Sequence, residues 1–443
     1  MKSWTILMLL PLAGFALITP GKAEGGLAPK RAKLRNGVVL LTSEQQSLPM
    51  VTLTLLMEAG SRFEPAGKEG LAHLAARLLT YGTRRRNAQE ISEILDFIGA
   101  EISTTSSEDL ATISLTILKK DLDTGLDLLA ELLTEAVFPI EEIERQKQST
   151  IAQIQANEER PSWIAQKKLF ETLFPGSPYG RPVEGDPESL QKIEQKDLIS
   201  FYQRFYRPDH AILAAVGDIS HQEIAKKLEQ VFQAWKPGGA AITPPSLPPA
   251  GTGRQIKISK DLTQANILMG QRGVTRSHRD YYAIQVMNYI LGGGGFSSRL
   301  MDSVRNERGL AYSVYSVFDA EKYAGTFQIV MQTKNETADE AVRVAREEVR
   351  RIREAKVTPE ELQDAKDFLI GSFPLRFDTN RRVADFLAYA EFFELGPDYI
   401  DRYPELIRRV NLDEIFRVAG TYLQPDQMVL VMVAKESKKN PAK

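Results

Sequence analysis

The chain repeats itself. Tyr206-Arg207-Pro208-Asp209 leads into the apolar run HAILAAVGD, and Leu423-Gln424-Pro425-Asp426 leads into QMVLVMVAK, with the two prolines 217 residues apart. A second pair of segments, IEEIERQK ending at Lys147 and PEELQDAK ending at Lys366, stands 219 residues apart. Two separated matches at nearly one offset require duplicated halves. Between them, residues 236–253 hold nine Pro or Gly in eighteen positions, the composition of an exposed, fairly stiff connector. The expected organisation is a domain over 24–235, a linker over 236–253, a second domain over 254–436 and a polar tail over 437–443. Each half is long enough for its own core.

Within the first half, residues 33–44 (KLRNGVVLLTSE) read as a hairpin turning at Asn36-Gly37, and 50–59 as a hydrophobic strand. Residues 88–98 form an amphipathic helix, 101–118 alternate as two strands, and 121–136 and 139–156 are helical. Strands and helices mix without the strict alternation of a parallel sheet, which predicts an α/β (α+β) fold.

Residues 69–83, EGLAHLAARLLTYGT, place Leu71, Leu74, Ala75, Leu78 and Leu79 on one helical face and His73, Ala76 and Arg77 on another. The stretch resembles the metal-binding helix of the pitrilysin and insulinase family of zinc peptidases, which includes the mitochondrial processing peptidases. That family writes HxxEH inside a frame like GLAHxxEHxxxxGT. Gly70, Leu71, Ala72, His73, Gly82 and Thr83 match the frame, but Ala76 stands in place of the catalytic Glu and Arg77 in place of the second His. A catalytic zinc site needs about three protein ligands and a carboxylate to take the proton from water. Ala76 can do neither, and the permanent charge of Arg77 repels a dication. By the resemblance, the third ligand falls on Gln153, a poor zinc ligand. Glu158 and Glu159 fall in the turn before Pro161, and His210, His221 and His278 have no ligand spacing. No metal site is expected in this chain. A peptidase using His73 with Glu69 or Glu158 is the enzyme alternative.

The second half carries LGGGGFSSRLMDSVRNERGLAYSVYS over 291–316. The run Gly292, Gly293, Gly294 and Gly295 ends one helix and leads into another capped near Ser297 or Ser298, with Leu300, Met301 and Val304 facing inward. Gly309 ends that helix and a strand follows. No Gly-Lys-Ser/Thr and no dinucleotide pattern accompanies the glycines, so nucleotide binding is excluded. This segment too resembles the family, whose members read GGGxSSRL, then an Arg, then RGLAYSV. The resemblance implies that Arg305 and Tyr312 bind the backbone of a peptide substrate opposite the zinc. The glycines themselves read as a flexible lip for peptide or simply as a helix break, and the resemblance implies that the two sheet-and-helix halves face each other as a clamshell.

A formal net charge of −2 and a pI near 6.2 point away from nucleic acid, and the run from Arg84 to Arg86 reads as a solvated turn. Residues 1–23 have the pattern of a secretory signal, with Lys2, an apolar run and Gly21-Lys22-Ala23 at the cleavage position. Pro11 and Gly14 interrupt the run and argue against a membrane anchor. With no Cys in the chain, there is neither a disulfide framework nor a lipoprotein attachment site. The expected location is a bacterial periplasm. In the heteromeric pairs of this family, one subunit keeps the zinc motif and the other keeps the Arg and Tyr. The resemblance therefore implies a non-catalytic, substrate-binding subunit, inactive alone. It would support a zinc endopeptidase whose related partner carries an intact HxxEH, with peptide or unfolded protein as substrate. A stand-alone peptide-binding or scaffold protein is the alternative.

Overall fold

Alternation of apolar and polar residues, broken by Gly37 in a left-handed turn (φ 105°), folds the start of the chain into a hairpin. The computed structural model describes residues 29–238 and 242–435. The leader expected at 1–23 and the tail expected at 437–443 lie outside the described residues. In chain order the first half comprises β1 (Lys30–Lys33), β2 (Val39–Glu44), β3 (Met50–Met57), α1 (Leu71–Leu78), α2 (Ala88–Ile98), β4 (Glu101–Ser106) and β5 (Ala111–Leu118). It continues with α3 (Leu122–Glu135), α4 (Ile140–Glu158), α5 (Pro161–Leu173), α6 (Pro187–Lys192), α7 (Gln195–Phe205), β6 (Ala211–Gly217) and α8 (His221–Val231). The second half comprises β7 (Gln255–Ser259), β8 (Gln264–Arg272), α9 (Tyr281–Asn288), β9 (Ala311–Ala320), β10 (Gly325–Lys334) and α10 (Ala338–Glu354). It ends with α11 (Pro359–Gly371), α12 (Asn380–Phe392), α13 (Tyr399–Arg408), α14 (Leu412–Tyr422) and β11 (Val429–Ala434).

The duplication is visible strand for strand. One sheet runs β1-β2-β6-β3-β5-β4 and the other β7-β11-β8-β10-β9, the same order apart from the additional edge strand β1. In each, one pair is parallel (β2 with β6, β7 with β11) and the remaining pairs are antiparallel. Pro208 and Pro425 lead into the matching strands β6 and β11, and the second repeated segment falls on α4 and α11. Both sheets are mixed, each with helices over one face and a core of its own.

The other face of each sheet is covered by a helix from the opposite half. Ala165, Leu169 and Leu173 of α5 pack on Leu268 of β8 and on Val429, Val431 and Val433 of β11. Reciprocally, Val383, Ala384, Leu387 and Ala388 of α12 pack on Leu41, Leu56, Ala214 and Val216 of the first sheet. Thr54 Oγ1 donates to Asp385 Oδ1 at 2.7 Å across that contact. Each buried Leu or Val is worth about 1.5–3 kcal/mol, so the halves are bound by exchanged helices and not by the connector alone. The connector itself lies on the body. Its Leu247 packs at the exchanged core, its Pro248 carbonyl accepts from Arg272, and its Gly251 N–H donates to Thr172 O. A Pro/Gly segment read as exposed is therefore tied down along part of its length.

Candidate functional site

Gly70, left-handed at φ 96°, starts α1 without a side-chain cap, and its successors fold over a buried carboxylate. Glu64 accepts from the N–H groups of Gly70 (3.1 Å) and Ala72 (2.9 Å) and from Arg181 (3.0 Å), satisfying helix donors that would otherwise be orphaned. Burial pushes its pKa up to about 7 against the pull of these donors. Arg181 also holds Glu69, at 2.9 Å. The carboxylates at the head of α1 are thus structural, and Glu158 pairs with Lys167 at the far end of α4.

Leu71, Leu74, Ala75, Leu78 and Leu79 bury as the spacing predicts, but Ala72 and Ala76 are buried as well, Ala76 at 2 % exposure, so it does not share an open face with His73 and Arg77. Arg77 Nε donates to Gln146 Oε1 of α4 at 2.7 Å. Gln146 is the residue that meets the second-His position. Gln153, two turns further along α4, is exposed and donates to Asn157 Oδ1. His73 Nε2 is buried without a hydrogen-bond partner among the described residues. Burial and the Arg77 charge hold the imidazole below its ordinary pKa, while Glu184 opposes them. Among the described residues no three His, Cys, Asp or Glu side chains are grouped to hold a metal ion. The donor set around His73 does not fit zinc, since a guanidinium bonded to an amide occupies the place of ligands.

In the second half, α9 runs into a π-helical turn, Tyr289–Gly293, and a second π-helical segment, Met301–Asn306, follows the glycines. Such turns recur where a helix is distorted to present a side chain. A Cβ on Gly292 would meet Ser316 at 2.5 Å, and Gly293 and Gly294 pack against Asn288 and Tyr289, so these three allow close approach. Gly295, at φ 60°, has open space around it. Leu300, Met301 and Val304 are buried, Gly309 turns the chain back, and Tyr312 enters β9. The Arg305 guanidinium sits 5.2 Å from the centre of the Phe296 ring and 3.8 Å from Met301 Sδ, with no carboxylate partner among the described residues. Tyr312 is 58 % exposed and Phe296 74 %, and Tyr315 and Val317 continue the apolar surface along β9. β9 is an edge strand, with no strand beside it on one side, and its Ser316 carbonyl accepts from Asn288 Nδ2 at 3.4 Å.

No hydrogen bond, ion pair or ring contact among the described residues joins Arg305 or Tyr312 to α1 or α4. The sequence did not disclose a cavity of about 160 Å³ lined by Glu108, Asp319 and Glu321 and walled by Phe170, Phe174 and Tyr389. Burial first, and then mutual repulsion, raise the pKa of Glu321 to about 7. The walls come from the exchanged helices, which no local pattern reveals.

Residues 39–187 match the family described as insulinase, peptidase family M16, and residues 192–369 match the peptidase M16 inactive domain. An uncharacterised zinc protease of Streptomyces coelicolor is 28 % identical over 412 residues, covering 91 % of this chain and 89 % of the relative. One from Rickettsia felis is 26 % identical over 395 residues, covering 88 % and 93 %. Among solved structures, a peptidase M16 inactive domain from Pseudomonas fluorescens superposes with a TM-score of 0.87 at 27 % identity, covering 93 % of this chain and 100 % of that one. A protease from Helicobacter pylori shares the fold, with a TM-score of 0.83 at 21 % identity and coverage of 92 % and 99 %.

Proposed function

Because the chain belongs to the M16 peptidase family, we propose that it is the non-catalytic, substrate-binding subunit of an exported heteromeric zinc metalloendopeptidase. The observation that carries this reading is a complementary loss and retention. Arg77 is spent on Gln146 where a metal would bind, while Arg305 keeps a guanidinium with no carboxylate partner among the described residues, beside an exposed aromatic surface. Activation of water belongs to a related subunit with an intact HxxEH. This chain's residues bind and orient. An extended peptide lies along the open edge of β9 and takes main-chain hydrogen bonds there. Arg305 and Tyr312 donate to a peptide carbonyl next to the bond that is cut, and the aromatic surface excludes water from it.

The test is zinc content and peptide hydrolysis, measured on the mature protein alone and mixed with the related subunit. The expected result is neither zinc nor activity alone and both in the mixture. Arg305→Ala or Tyr312→Phe lowers the rate of the mixture by about 10²–10³-fold, the scale of one lost donor to a developing charge, with its zinc content unchanged. Activity of the chain alone overturns the proposal. A mixture that binds unfolded peptide but cuts nothing would make the chain a stand-alone holding protein.

A further inference from the structure

The three arginines after α1 lie at the surface, as the sequence suggested, but they are not equivalent. Arg85 and Arg86 both reach the buried carboxylate of Glu131, and Arg85 also reaches Glu135. Arg84 has no carboxylate partner among the described residues. It lines a cavity of about 360 Å³ in the first half, where the chain leaves the domain for the connector. Arg207, from the Pro208 turn, and Lys236, at the start of the connector, line the same cavity and are likewise unpaired with any carboxylate among the described residues. No Asp or Glu stands in the wall. The acidic residues adjacent in sequence are engaged elsewhere, Glu135 with Arg85 and Asp209 with the N–H of Gly238.

Trp235, Tyr202 and Tyr206 supply an aromatic wall, each less than a tenth exposed. Two of the polar tips are satisfied internally: Trp235 Nε1 donates to Tyr206 O and the Tyr202 hydroxyl to Leu132 O. The Tyr206 hydroxyl is buried with no partner among the described residues. Three cations around one opening repel each other unless an anion lies between them, and guanidiniums grip phosphate oxygens through paired N–H donors. The volume exceeds what an inorganic ion needs and falls in the range of small-molecule sites.

We propose that this cavity is a binding site for a phosphate ester carried on an apolar or aromatic body. Arg84 and Arg207 hold the phosphate oxygens, Lys236 adds a point charge, and Trp235 and Tyr202 contact the body. The site is separate from Arg305 and Tyr312 and does not depend on the peptidase reading. A free organophosphate and the headgroup of an anionic phospholipid share this chemistry.

Trp235 is a built-in reporter, because beyond the leader the only other tryptophan is Trp163. In a Trp163→Phe background, phenyl phosphate is titrated at constant ionic strength by fluorescence and calorimetry, with benzyl alcohol as the uncharged control. In parallel, the protein is sedimented with phosphatidylglycerol/phosphatidylcholine vesicles and with phosphatidylcholine alone. The expected result is saturable binding of phenyl phosphate and none of benzyl alcohol. Affinity falls at least tenfold in Arg84→Gln/Arg207→Gln, with the thermal midpoint preserved. Vesicle binding that requires phosphatidylglycerol and is competed by phenyl phosphate assigns the headgroup as ligand, and soluble binding alone assigns the free ester. Failure of both probes, or binding that survives the double substitution, overturns the proposal. If the double variant does not fold, Lys236→Gln decides in the same way.

Discussion

The hydrogen bond between Arg77 and Gln146 defines the chemistry of α1 more than any loss taken alone. Gln146 is 5 % exposed, so Arg77→Ala strands a buried amide oxygen. The expected cost is about 1–3 kcal/mol, read from urea unfolding, with a modest upward movement of the His73 pKa in an NMR titration as one of the forces depressing it disappears. Glu64 gives a pH signature of the opposite kind to a salt-bridged carboxylate. Its folded pKa, about 7, lies above the unfolded value of about 4.3. The folded state therefore holds the proton more tightly, and the contribution of Glu64 to stability is full below the unfolded value and lost as pH rises through about 7. The urea midpoint of the wild type should fall relative to Glu64→Gln between pH 5 and pH 7, and parallel curves would refute the assignment. In the sequence, Ala76 and Arg77 were legible as substitutions in a motif and His73 as its retained member. Gln146 was not, because spacing pointed to Gln153. A signal did exist, since Ile143, Gln146, Thr150 and Ile154 form one stripe of α4 and a polar residue in a buried stripe needs a partner.

Among the elements, those read from residue pattern in the first half, β3 to β5 and α2 to α4, are present, and the Pro-Asp turns and the Asn36-Gly37 hairpin fall where turn chemistry puts them. The destinations of α5 and α12 do not follow. An amphipathic stripe states that a helix must be covered, not by which sheet. Leu169 on α5 and Leu387 on α12 test the exchange from its two sides. Leu169→Ala and Leu387→Ala should each cost about 2–5 kcal/mol. Each should raise amide exchange most in the sheet of the other half, the second sheet for Leu169 and the first for Leu387. A loss of protection confined to the helix's own half would contradict the packing.

At the scale of the whole molecule, the repeat announced two sheets of one topology, and the two sheets have it. The duplicated halves differ in what they do with an arginine: in the first Arg77 is bonded to Gln146, while in the second Arg305 lies over Phe296 with no carboxylate partner among the described residues, near the edge strand β9. Parting the halves would strip α5 and α12 from the sheets they cover. The exchange also sets an order of birth. The first sheet is complete once β6 has been made, yet the helix that covers its second face ends only at Phe392. A chain emerging from the ribosome must therefore carry Leu56, Ala214 and Val216 uncovered while residues 218–392 are made. Contacts this distant in sequence close slowly, and bare apolar sheet faces aggregate. Such a protein should depend on a holding chaperone until its last third arrives, and its first half expressed alone should be insoluble.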